Sequence, residues 1–97
     1  MRSRDLAPSS VHGAVLVHVA ANPASGTDEI LRAAEAPRHV GLKALKDLTD
    51  AGLIRLTYEG HREHYTVKLD ASLNAWFLHP RLHGRTLRQV LRPRDPQ

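Results

Sequence analysis

Between positions 38 and 46 the chain carries Arg38, His39, Leu42, Lys43 and Lys46, residue types suited to contacting the edge of a nucleic-acid base or a phosphate. An arginine fork at Arg38 can bridge two acceptors of a guanine, and the Leu42 side chain can touch a thymine methyl. Lys43 and Lys46 can hold phosphates as point charges. A second basic pair, His61 and Arg62, follows a glycine at a predicted turn, where an arginine can exploit the negative potential of a narrow minor groove. Each group also has a plainer reading. Lys43 with Asp47 and Lys46 with Asp50 stand at i,i+4 on a solvated helix face, and Arg62 sits between Glu59 and Glu63 in an exposed turn.

Other chemistries find less support. The absence of cysteine removes disulfide frameworks, thiolate metal sites and redox pairs. Among seven histidines, His61-x-x-His64 spans a turn and His79-x-x-x-His83 contains Pro80, and neither has a third Cys or carboxylate at ligand spacing. No metal or other cofactor is therefore expected. There is no carboxylate pair, glycine-rich phosphate loop or nucleophile motif, and Ser9 and Ser10 read as helix caps, so the chain is not expected to be an enzyme.

The elements that would position these residues follow from periodicity. Val11, Ala14, Val15, Leu16, Val19 and Ala20 recur as on a helix, with serine as N-cap and Asn22-Pro23 as a stop. After the loop Ala24-Ser25-Gly26, Thr27 can cap a short helix running to about Glu35, whose first turn holds Asp28 and Glu29. Pro37 marks the first turn of a third helix reaching about Ala51. Projected at about 100° per residue from Arg38, Gly41, Ala44, Leu45 and Leu48 fall between roughly 240° and 340°, and Arg38, His39, Leu42, Lys43 and Lys46 between roughly 0° and 140°. The first set is a core stripe and the second a basic face. Gly41 would cost about 1 kcal/mol against alanine in that helix, which predicts close packing against the second helix. Gly52 stands where a left-handed residue ends a helix.

From Leu53 the period becomes two. Ile54, Leu56 and Tyr58, then Tyr65, Val67 and Leu69, alternate with polar residues around the turn Glu59-Gly60-His61-Arg62, which predicts a β-hairpin with a basic tip. Asp70 can cap a further helix carrying Leu73, Trp76, Phe77 and Leu78, interrupted by Pro80, and a weak helix is predicted around Arg85 to Leu91. The fold class expected is mainly α with a small antiparallel β-hairpin.

Helix, short helix, glycine-terminated amphipathic helix and hairpin is the order of a winged helix-turn-helix domain. Leu45-x-x-Leu48-x-x-Ala51-Gly52-Leu53-Ile54, followed by Tyr58-Glu59-Gly60-His61-Arg62 and Tyr65-Thr66-Val67, resembles the recognition-helix end and wing of ArsR- and MarR-type bacterial regulators over about residues 11–78. The resemblance implies a transcription regulator binding double-stranded DNA specifically, with a recognition helix over about 37–51 in the major groove and a wing over 59–63 on the minor groove or backbone. Members of the same superfamily also serve in plasmid or phage replication and partition, or bind other proteins. This chain departs from the pattern in lacking the cysteines of many ArsR-type metal sensors, in being short for the extra dimerisation helices of MarR-type proteins, and in placing Gly41 where a β-branched residue is common.

Length and charge bound these expectations. Ninety-seven residues make one domain, with hydrophobic residues at 41% and charged residues at 25% excluding a disordered or membrane-embedded chain. We expect a flexible 1–8, a winged domain over 9–78 and a basic helix and tail over 79–97 whose end is disordered. The net charge of +4 lies wholly in that tail, because residues 1–78 hold nine basic and nine acidic side chains. The tail could add nonspecific phosphate contacts or be merely solubilising. Trp76 and Phe77 are adjacent, about 100° apart on a helix, which is hard for a small domain to bury alone. With Val15, Val19 and Leu73 they predict a subunit interface in a twofold homodimer over a roughly palindromic site. Arg2 and Arg4 before Val11 to Ala21 loosely imitate a secretory signal, but Asp5, His12 and His18 interrupt it, so a cytoplasmic location is expected with no membrane partner and no small-molecule effector evident.

Overall fold

A computed structural model describes residues 10–90. Three helices lead the order, α1 (Ser10–Ala21), α2 (Thr27–Ala34) and α3 (Arg38–Asp50), followed by the strands β1 (Ile54–Glu59) and β2 (Arg62–Val67). A 3-10 turn (Pro80–Leu82) and a single-turn helix α4 (Leu87–Val90) complete it.

The core is assembled around α1. Val15, Leu16 and Val19 lose all solvent exposure as α1 packs on α2, α3 and β2. The segment that loosely imitates a secretory signal is thus the middle of the fold, and its two histidines tie it to its neighbours. His12 reaches Asp47 of α3 and His18 reaches Glu29 of α2, each at 2.8 Å.

α2 begins one residue away from the sequence reading. Thr27 lies inside the first turn, and the cap position falls to Gly26, which has no side chain to offer. Asp28 and Glu29 occupy the first turn as predicted, complementing the dipole. α3 buries Gly41, Ala44, Leu45 and Leu48, the predicted stripe. A Cβ built on Gly41 would stand 2.5 Å from Leu31 Cδ2 of α2, so the Leu31 side chain fills the space the glycine leaves between these two helices. The end of α3 is a Schellman motif. Leu53 N–H donates to Leu48 O and Gly52 N–H to Thr49 O, with Gly52 at φ +77° and both Leu48 and Leu53 fully buried.

β1 and β2 pair antiparallel from Ile54 opposite Val67 to Glu59 opposite Arg62, leaving Gly60-His61 as a two-residue turn. Gly60 has φ +64° and His61 a negative φ, the sign pattern of a II′ hairpin turn. Burial fades along the hairpin. Ile54 and Tyr65 are in the core, Leu56 is half-buried and Tyr58 is exposed. At its root the hairpin gains a third partner, because Ser25 in the α1–α2 connection bridges Tyr65, with Tyr65 N–H donating to Ser25 O at 2.8 Å and Ala24 N–H to Tyr65 O at 3.1 Å.

The C-terminal third departs most from expectation. Residues 71–79 form no helix, and Asp70 caps none. Instead Ser72 bridges Thr86, while Leu73 N–H donates to Arg85 O and Leu87 N–H to Ala71 O. Backbone groups of 71–73 thus bond to 85–87, and only a turn, with Leu78 N–H donating to Ala75 O at 3.1 Å, forms farther along the segment. This fold-back inserts Leu73, Phe77, Leu78, Leu82 and Leu87 into the core, so no structural boundary falls between 78 and 79. α4 covers part of the predicted last helix; the tail from 91 onward, expected to be disordered, lies outside the described residues.

The fold-back also corrects the predicted subunit interface. Val15, Val19 and Leu73 are fully buried and Phe77 is 4% exposed, all within the chain's own core, whereas Trp76 is 76% exposed. Off a helix, adjacent residues need not lie 100° apart, and the irregular backbone turns Phe77 inward while Trp76 stays out. Four of the five interface residues are therefore taken by the protomer itself.

Candidate nucleic-acid interface

Arg38, His39, Leu42, Lys43 and Lys46 all emerge on the solvent face of α3, opposite its core stripe. Leu42, 40% exposed, is one of the few large apolar side chains left in water, and it sits amid the basic groups. The start of α3 suits an anion. Its N-cap is Pro37, no side chain caps it, and its first turn contains no acidic residue, leaving backbone N–H groups and the positive dipole end beside Arg38 and His39.

The cations on this face are not alone. Arg38 Nη1 lies 3.5 Å from Asp28 Oδ1, Lys43 Nζ 3.3 Å from Asp47 Oδ1, and Lys46 Nζ 2.7 Å from Asp50 Oδ2. The two i,i+4 pairs weighed in the sequence are thus formed, and α2 supplies a third acid. Three acids offset three cations. The pairs differ in kind, however. Asp28 and Asp50 are well exposed, so their pairs are screened by solvent and weak, and yield readily to a competing anion. Asp47 is only 13% exposed and is held from below by His12. Hydrogen bonding from His12, aided by Lys43, keeps its carboxyl below the ordinary carboxylate range against the opposing effect of burial. At Lys46 the hydrogen bond and charge of Asp50 push the ammonium upward.

His61 and Arg62 stand at the exposed hairpin tip, with Arg62 directly opposite Glu59. Neither forms a salt bridge among the described residues. The hairpin root is firm by comparison, and burial raises the Tyr65 hydroxyl's pKa above its ordinary value.

Two residues outside the predicted set shape the face. His12 fixes Asp47, and its ring stacks on Phe77 with centroids 4.5 Å apart and meets Trp76 edge-on at 5.8 Å. His18 bonds Glu29. Both are on the inner side of α1, and the signal in the sequence was a histidine twice interrupting an apolar run. No group of three or more His, Asp or Glu side chains placed to hold a metal occurs among the described residues, and none of their helices is long and apolar enough to cross a membrane.

Comparison of the chain with family models, curated proteins and solved structures gives no match.

Proposed function

We propose that the chain is a winged helix-turn-helix regulator of transcription that binds double-stranded DNA, with α3 entering the major groove and the hairpin tip lying over the adjacent minor groove or backbone. The observation that carries this reading is the division of α3 into a buried stripe and an opposite face on which Arg38, His39, Leu42, Lys43 and Lys46 stand together. A helix of 13 residues is about 20 Å long, a length suited to a groove roughly 12 Å wide. In this reading Arg38, His39 and Leu42 face base edges, Lys43 and Lys46 hold phosphates, and His61 and Arg62 contact the neighbouring groove. A twofold homodimer belongs to the same proposal, with Trp76 as the surface residue that carries it.

One observation favours a second reading, a winged-helix module that binds proteins. The three basic side chains of α3 are each offset by an acid. Selection of bound duplexes from a random pool, followed by titration across salt, separates the two. The DNA reading expects an enriched motif, an affinity falling with a log–log slope of about −0.9 per phosphate contacted, and a loss of about 1–3 kcal/mol with relaxed preference at one base pair for Arg38→Ala. No detectable binding at about 50–100 mM salt leaves the protein-binding module.

A further inference from the structure

The root of the hairpin, away from the tip, carries a second basic surface. An open groove of about 890 Å³ runs between the outer face of the hairpin and the segment 69–75, closed at one end by Ala51 and Gly52 where α3 stops. We propose that this groove binds a small phosphate-bearing ligand, held by Arg55 and Lys68.

Pairing of Arg55 with Thr66 places both on one face of the sheet. The ladder continues past β2, since Lys68 N–H donates to Leu53 O at 2.9 Å. Lys68 is therefore the diagonal neighbour of Arg55 on that face, at a spacing of about 7–8 Å between diagonal positions. Both side chains are exposed, and together they place two positive charges on the same face of the sheet. Unlike the cations of α3, neither forms an ion pair among the described residues. The acid on the groove wall, Asp70, is 3.2 Å from Arg88 Nε in an exposed pair and forms none with Arg55 or Lys68.

Neutral donors surround the two charges. The hydroxyls of Thr66 and Ser72 line the groove, as does Asn74. The Asn74 Oδ1 accepts Gly84 N–H at 2.9 Å, which leaves its NH₂ donors for another acceptor. A guanidinium fork, an ammonium and three neutral donor groups match a phosphate, which carries about −1.5 to −2 charge and three strong acceptor oxygens. The volume lies within the roughly 300–1,000 Å³ of small-molecule sites. A duplex backbone is the other source of phosphate. Competition with a duplex separates the two sources.

Phenyl phosphate and inorganic phosphate, titrated at constant ionic strength into the full chain without DNA, test the proposal by amide chemical shifts. Saturable shifts below about 10 mM, an order of magnitude tighter than loose surface pairing, centred on Arg55, Thr66, Lys68, Ser72 and Asn74, are expected. Arg55→Gln with Lys68→Gln should weaken them at least tenfold with the remaining spectrum intact, whereas Lys43→Gln with Lys46→Gln should leave them unchanged. Shifts that do not saturate, that spread over all basic residues, or that survive Arg55→Gln with Lys68→Gln overturn the site. A duplex of any sequence that displaces phenyl phosphate in the Lys43→Gln, Lys46→Gln variant assigns the groove to backbone phosphate and overturns it as well. Because the first titration contains no DNA, its failure leaves the DNA-binding reading standing, and failure of that reading leaves this site standing.

Discussion

His12 Nε2 lies 2.8 Å from Asp47 Oδ2, joining α1 to the helix proposed to read DNA. The same carboxylate accepts Lys43 Nζ, and the His12 ring rests on Phe77. A basic residue of the solvent face is thereby connected through one acid to the aromatic part of the core. Lys43 can swing away from Asp47 toward a phosphate, but the negative charge stays because His12 holds it.

Asp47→Asn should lower stability by about 1 kcal/mol at neutral pH, the usual worth of such a hydrogen bond. The folded chain holds this carboxyl below its ordinary 3.8, so it binds the proton less tightly than the unfolded chain does. The carboxylate's contribution is full above about pH 4 and is lost as the pH falls through the depressed folded-state value. Urea unfolding at neutral pH and at successively lower pH should therefore show the gap between wild type and variant closing on acidification. In the DNA assay the same change should strengthen binding, since one negative charge beside Lys43 is gone.

Gly41→Ala sets helix propensity against space. Alanine gains about 1 kcal/mol in a helix interior, but its Cβ meets Leu31 Cδ2 at 2.5 Å, and overpacking costs about 1–3 kcal/mol. A net destabilisation of about 1 kcal/mol is expected. With Leu31→Ala already present, Gly41→Ala should instead stabilise by up to about 1 kcal/mol. A double-mutant cycle by chemical denaturation checks the reversal of sign.

Leu87→Ala tests the fold-back of the C-terminal third. Leu87 is fully buried although it sits in a one-turn helix near the end of the described residues. Truncation of a buried leucine costs about 2–5 kcal/mol, so thermal unfolding should fall sharply. A peripheral tail would give a change within about 0.5 kcal/mol.

Trp76→Ala should cost the monomer no more than about 1.5 kcal/mol, the worth of its edge contacts with His12 and Phe77. Sedimentation at micromolar concentration should show a wild-type dimer and a Trp76→Ala monomer. A wild-type monomer with and without DNA removes the homodimer.

Sequence reading succeeded where one local signal and one burial requirement agreed. The α3 stripe, the tight Gly41, the Gly52 stop and the existence of the hairpin all combine a period with a residue of special conformation. It failed over 71–79, where an apolar run of helical spacing begins with Ala71, Ser72 and Leu73 paired to residues 85–87 and continues into a turn at 76–77. Nonlocal backbone bonds leave no periodic trace. Of the proposed DNA-facing residues, their placement on one face was legible, as were two of their three acidic partners. Asp28 was not, because its approach to Arg38 depends on how α2 meets α3.

The hairpin root is gripped from two directions, by the turn at Gly52 that ends α3 and by the Ser25 bridge to Tyr65. The hairpin is thus tied at its root both to the end of α3 and to the α1–α2 connection, while Tyr58 and the tip stand exposed. On the proposed DNA-binding reading, a duplex whose groove spacing differs from that set by α3 and the hairpin would have to twist or compress to fit, so sequence preference should extend to base pairs that no side chain touches.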